Sequence, residues 1–264
     1  MTKFLTIILT TFALFALFSC SEDKAPNTNT DAEYYPMTTG SYWVYESKEL
    51  DGEGKVTATT TDSVAISKTT TKLGKECFEF KNYEGDDHVG NTYKYKTETE
   101  LYTLLDVILP DPDDFPLPYS EIDDQWVKIA DENQSSWDIF ELALNEFEIE
   151  MEGVAGKLTG TLKIVGRKGG IVKLSGIMGQ SYNAQEFIVE NHISGVFTIT
   201  SFGWPVDVDI DEKINIRYYY ADNIGLIKYR AEPLLVKLVT PLGTYNVPIK
   251  GREEILLRTN VKAE

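Results

Sequence analysis

The chain is short of cysteine, histidine and positive charge. Of its 264 residues, two are cysteine and two are histidine. A scaffold stapled by several disulfides is therefore excluded, and core packing and sheet hydrogen bonds must supply most of the stability. His88 and His192 show no paired spacing, and no HExxH or CxxC pattern offers a zinc site. The glycine motifs that cradle phosphates or dinucleotides are missing, as is the G-x-S-x-G of a nucleophile elbow. Lys and Arg number 25 against 42 Asp and Glu, a net charge of −17. Such an acidic protein is not expected to bind nucleic acid or anionic lipid electrostatically.

Long apolar runs are also scarce, and the one present is N-terminal. After Met1-Thr2-Lys3 comes a fifteen-residue stretch, Phe4 to Phe18, interrupted by Thr6, Thr10 and Thr11. A membrane-spanning helix needs about 20 residues. A charged start, a short apolar core and a small residue at the exit read as a secretory signal. The exit, Leu17-Phe18-Ser19-Cys20, resembles the bacterial lipobox, with Phe18 where a smaller residue is usual. The resemblance implies lipid on Cys20, cleavage before it, and residues 1–19 as signal. Without them the net charge becomes −18, since Lys3 is the only charge lost. Residues 20–33 are rich in Asn, Thr and charge and lack apolar periodicity, so they read as a flexible tether. Ser21 and the acidic pair Glu22-Asp23 resemble outer-membrane sorting and surface-export signals, which implies a bacterial outer-membrane location, on its periplasmic side or at the cell surface. If Cys20 carries lipid, Cys77 has no partner.

Residues 34–264 read as a single β-rich domain, because period-two alternation dominates. In Glu146–Glu152, apolar and acidic residues alternate strictly; Lys157–Ile164 alternates again. The pattern predicts a hairpin with a four-residue loop, pairing Glu152 with Lys157, Met151 with Leu158, Phe147 with Leu162 and Glu146 with Lys163. A second hairpin is expected over Ile214–Ala231, with Asn223 and Gly225 taking positive φ. Further strands are expected at Tyr42–Leu50, Val56–Ile66, Glu76–Tyr83, Thr92–Thr97, Gln185–Ile193, Val196–Phe202, Leu234–Thr240 and Ile255–Val261. Ser136–Leu144 reads as about two helical turns capped by Ser135 or Ser136, with a strand as the alternative. The proline-rich Leu109–Pro118 reads as a surface loop, where a smaller N-terminal sheet would end. The fold class is mainly β: an antiparallel twisted or curved sheet, a sandwich or half-barrel, with little helix.

Two stretches carry a resemblance. Tyr34-Tyr35-Pro36-Met37-Thr38-Thr39-Gly40-Ser41-Tyr42-Trp43-Val44-Tyr45 resembles the aromatic-Pro-xxx-Gly-xx-Trp-x-Tyr opening of uncharacterised Bacteroidota-type lipoproteins. Tyr219-Tyr220-Ala221-Asp222-Asn223-Ile224-Gly225-Leu226-Ile227-Lys228 resembles their late Gly-Leu-Ile-Lys segment. The family has no assigned activity, so the resemblance implies no catalytic residue. A looser likeness, by tether and twisted sheet, is to lipoprotein carriers and their outer-membrane acceptors.

No other stretch carries catalytic chemistry on its face. Asp207-Val208-Asp209-Ile210-Asp211-Glu212 begins like a calcium loop but lacks its glycine and distal glutamate, and reads as a strand with a wet acidic face. Glu84-Gly85-Asp86-Asp87-His88 reads as a surface turn. His192 falls on a face with Glu186 and Glu190, and Cys77 on a face with Glu79 and Lys81, as a structural, unreactive thiol. No cofactor or metal is expected. Aromatics remain: Trp43, Tyr45, Tyr218, Tyr219 and Tyr220 are the candidate ligand-binding residues, with Tyr219 opposite in phase to its neighbours. The expected function is a membrane-held, non-catalytic domain that binds or supports an envelope partner. The alternatives are a lipid or lipoprotein carrier with an apolar cavity, which would hold a hydrophobic ligand, and an envelope glycan hydrolase.

Overall fold

Alternation runs much further along the chain than the short strand candidates implied. The computed structural model describes residues 33–109, 124–151, 154–201, 204–240 and 243–262. The expected signal, the expected lipid site Cys20, and most of the expected tether and proline-rich loop lie outside these. Six strands come first: β1 (Tyr42–Leu50), β2 (Val56–Lys72), β3 (Lys75–Glu84), β4 (Asp87–Lys96), β5 (Glu100–Leu104) and β6 (Trp126–Asp131). Four long ones follow: β7 (Ser136–Met151), β8 (Val154–Ile177), β9 (Gln180–Ser201) and β10 (Trp204–Ala221). The last are β11 (Gly225–Ala231), β12 (Leu234–Thr240), β13 (Gly243–Ile249) and β14 (Gly251–Asn260). Among the described residues, helix is limited to one 3-10 turn, Leu105–Val107.

Twelve strands form one antiparallel sheet in the order β6-β5-β4-β3-β2-β1-β14-β11-β10-β9-β8-β7. Strands from both sides of the proline-rich loop share it. Its two edges, β6 and β7, follow each other in sequence and meet in space, so the sheet is nearly closed into a barrel. The seam is latched by single bonds. Trp137 Nε1 donates to the Lys128 carbonyl at 2.8 Å. Lys168 Nζ of β8 donates to the Glu132 carbonyl, just after β6, at 2.6 Å. Near closure removes most of the exposed edge that an open sheet would offer to other chains.

The inner face of β8 and β9 carries Leu158, Leu162, Ile164, Phe187, Val189, Ile193 and Phe197, all essentially without exposure. Each such side chain contributes about 1.5–3 kcal/mol by leaving water. The separate hairpin β12–β13 packs against β10. It adds Val236, Leu238, Val247 and Ile249 to the core that holds Val208 and Ile210.

Three expectations are corrected. Ser136–Leu144 is strand, not helix: it is the first half of β7 and pairs with β8, Ser136 opposite Arg167 and Leu144 opposite Gly160. The β7–β8 hairpin keeps the expected faces but not the register. Met151 pairs with Val154, so Glu152-Gly153 alone connects the strands; Phe147 faces Leu158, not Leu162, and Glu148 faces Lys157. A bulge at Asn145-Glu146, with Glu146 at φ +50°, then shifts the pairing by one residue more, to Leu144 opposite Gly160. Finally, the two strands expected around Ser194-Gly195 are one, because Gly195 faces Gly160 across β8–β9. A Cβ on Gly160 would lie 2.1 Å from the Ser194 carbonyl oxygen, so the two backbones pass too closely for any side chain. The second hairpin forms as expected, Ala221 opposite Gly225, with Asn223 at φ +56° and Gly225 at φ +91°.

Candidate ligand cavity

Period-two alternation places Trp43 and Tyr45 of β1 and Tyr218 and Tyr220 of β10 on the barrel's inner face. There they line a cavity of about 420 Å³, shared with β2, β3, β4, β11, β14 and the segment Tyr34–Met37. Each aromatic is held. Trp43 Nε1 donates to the Ile224 carbonyl at 2.6 Å, and the indole lies against Phe80, ring centroids 6.5 Å apart. Tyr45 Oη donates to the Leu226 carbonyl at 2.9 Å. Tyr218 meets Tyr229 edge-on at 5.4 Å, and Tyr220 meets Tyr35 at 5.2 Å. Burial pushes the phenols of Tyr45, Tyr218, Tyr220 and Tyr229 upward, so all four stay neutral at physiological pH. The hydroxyls of Tyr35 and Tyr220 are buried in the wall without a hydrogen-bond partner among the described residues.

Tyr35-Pro36-Met37 runs buried along one side. It is fastened just upstream, where the Glu33 amide donates to Asp222 Oδ1 at 2.9 Å. The Asn223 amide donates to the Glu33 carbonyl at 2.9 Å, and Lys96 pairs with the Glu33 carboxylate at 2.5 Å.

A charged group lies among the aromatics, and sequence reasoning did not find it. Arg252 of β14 reaches Asp62 Oδ2 on β2 at 2.5 Å through Nη2 and Glu254 Oε1 at 2.7 Å through Nε. Burial lifts the Glu254 carboxyl above its ordinary range, against the pull of Arg252. Lys94 of β4 enters the same cavity. Its ammonium lies 5.2 Å from the Phe80 ring centroid. Among the described residues it makes no hydrogen bond and no ion pair within 4.0 Å. Burial lowers its pKa, with Glu254 opposing.

The other sequence candidates lie elsewhere. Tyr219 stands on the opposite face of β10 and does not line the cavity; burial and the neighbouring Glu186 push its phenol up to about 12. His192 pairs with Asp211 at 2.5 Å on the outer face. Beside it Glu190 binds Arg167 and Lys213 at 3.2 and 3.0 Å. His88 sits at the β3–β4 turn, 2.9 Å from Asn91 Oδ1. Asp207–Glu212 is part of β10, its aspartates exposed and Val208 and Ile210 buried. Cys77 is 1% exposed, its thiol 3.6 Å from the Thr70 carbonyl and pushed up by burial. No three His, Cys, Asp or Glu side chains among the described residues converge as metal ligands.

No protein-family model and no curated protein matches the chain. Two solved structures are similar in shape. One is an inferred lipoprotein of Parabacteroides distasonis, 12% identical, with a TM-score of 0.41 over 87% of this chain and 99% of that one. The other is an inferred exported protein with a YmcC-like fold from Bacteroides fragilis, 10% identical, with a TM-score of 0.38 over the same shares.

Proposed function

We propose that this protein is a non-catalytic binding protein that receives a hydrophobic small molecule in its barrel while a lipid on Cys20 holds it at the outer membrane. Of the readings open to the sequence, this is the carrier-like one. The observation that carries it is the cavity: its size falls within the 300–1,000 Å³ typical of ligand sites, and its walls are mostly aromatic and aliphatic side chains, with Asp62, Glu84, Lys94, Arg252 and Glu254 as the charged groups. A purely structural domain would be expected to fill this space with side chains, since interiors pack closely. Several acyl chains on Cys20, each buried methylene contributing about 0.8 kcal/mol, would keep such a protein permanently at the bilayer.

A hydrolase reading draws on Asp62 and Glu254, two carboxylates facing one cavity. Both are ion-paired to Arg252, which ties each to a partner in the wall. The binding reading is therefore preferred.

Native mass spectrometry of the full chain, purified from membranes and released from detergent, tests it. The expected result is one hydrophobic molecule per chain, lost in Thr92→Trp, which would fill the cavity from β4. Apo masses from both proteins would sink the reading and turn the search to envelope protein partners.

A further inference from the structure

The polar groups in the cavity are unevenly satisfied. Of the three carboxylates that line the cavity, Arg252 binds Asp62 and Glu254, and the third, Glu84, ends β3 and is exposed. Lys94 has no protein acceptor among the described residues, and its ammonium lies beside the Phe80 ring. A charge in such a place is costly unless something pairs with it. Among the described residues no hydrogen bond or ion pair supplies that partner, whereas a ligand in the cavity would meet it.

The cavity wall also has an apolar approach. Val89 and Val107, both lining the cavity, are 61% and 36% exposed. Exposed valines beside an aromatic hollow suit the passage of an aliphatic chain. The volume of about 420 Å³ lies toward the small end of the range for ligand sites, which favours one chain over two.

We propose that the cavity takes a single-chain amphiphile with an anionic head, a long-chain carboxylate, its head against the Lys94 ammonium and its chain along Trp43, Tyr45, Phe80, Tyr218 and Tyr220. The inference rests on the binding reading above and adds the ligand's class. The head gains a charge-assisted hydrogen bond, and the tail replaces water against the aromatic rings.

The test uses the full chain in phosphatidylcholine nanodiscs at pH 7. It is titrated calorimetrically with dodecanoate and separately with dodecanol, each against empty nanodiscs. Wild type is expected to bind dodecanoate about tenfold or more tighter than dodecanol, the value of one charged hydrogen bond. Lys94→Met is expected to bind the two alike, with dodecanol affinity unchanged, and Lys94→Arg to keep the preference. Circular dichroism checks that each variant folds; Lys94→Gln replaces the methionine variant if that one does not. Equal affinities in wild type, or an undiminished preference in the neutral variant, would overturn the anionic head while leaving cavity binding intact. Binding of neither molecule would overturn the cavity reading, and this inference with it.

Discussion

Asp131 is nearly fully buried, its side chain 2% exposed, yet it stays ionised. Burial pushes its carboxyl up. Lys128 and the amides of Asn133 and Gln134, at 2.9 and 3.1 Å, outweigh that and hold it below 3.8. A carboxyl whose folded pKa is depressed stabilises the fold above its unfolded pKa, and the contribution is lost as pH falls through the folded value. Asp131→Asn should therefore cost about 1–3 kcal/mol at pH 7. The gap from wild type should narrow as pH falls below 3.8. Urea midpoints of both proteins across that range check this, and a gap independent of pH would mean that the loss is one of packing. The same scale shows why the cavity's charges were hidden. Thr92-Tyr93-Lys94-Tyr95-Lys96 alternates, and alternation is read as wet lysines and dry tyrosines. Here the polarity is inverted: Lys94 faces the cavity, while Tyr95 stacks on Tyr102 at 4.4 Å on the other face. Arg252-Glu253-Glu254 is charged on both faces, so its inward pair is equally silent. Trp43, Tyr45, Tyr218 and Tyr220 were legible because aromatic residues at alternate positions mark an inner face under either reading.

At the scale of the element, the seam between β6 and β7 is the informative place. Trp137 lies over Gly166 so closely that a Cβ there would sit 2.0 Å from the indole. Its Nε1 bridges to β6. The seam thus depends on a few contacts where every other junction of the sheet has a ladder. Trp137→Phe removes the bridge, leaves the Lys128 carbonyl short of a donor, and should cost about 1–3 kcal/mol. Hydrogen exchange should show where. The Lys168 amide, which bonds Ser135 at the end of the β7–β8 ladder beside Trp137, should lose protection as β7 frees itself from β6, while the β8–β9 ladder keeps its own. A uniform rise in exchange would show that the seam is not a separate opening unit. Why β7 read as a helix is also local. Trp137, Ile139, Phe140, Leu142 and Leu144 satisfy both a 3.6 and a 2.0 period over so few residues. Only the partner decides, and β8 beyond Ile164 was not read as strand. The hairpin register failed for a related reason: a shift of an even number of residues preserves which side chains face inward, so alternation cannot detect it.

For the whole molecule, closure depends on pairings that no local pattern announces. β1 lies between β2 and β14, and Tyr42 pairs with Ala65 on one side and Asn260 on the other. β5 and β6, which bring the sheet around to its seam, are short and were not anticipated. What did follow from the residues was an antiparallel β fold, one that would hold itself together without a disulfide if Cys20 carries lipid. That property gives a test joining the fold to its anchor. Cys77 is buried and its thiol pushed up, so it should resist a thiol reagent in the native protein and react only as the barrel opens. If Cys20 carries a thioether-linked lipid, the membrane-purified chain should titrate no thiol when native and one when denatured in guanidinium. A free Cys20 would give two on denaturation, and a disulfide between the cysteines would give none until a reductant is added. With the thioether, a reductant should leave the urea midpoint unchanged, because no cross-link contributes to stability. A count of two would remove the anchor from the proposed function and leave the cavity to be judged alone.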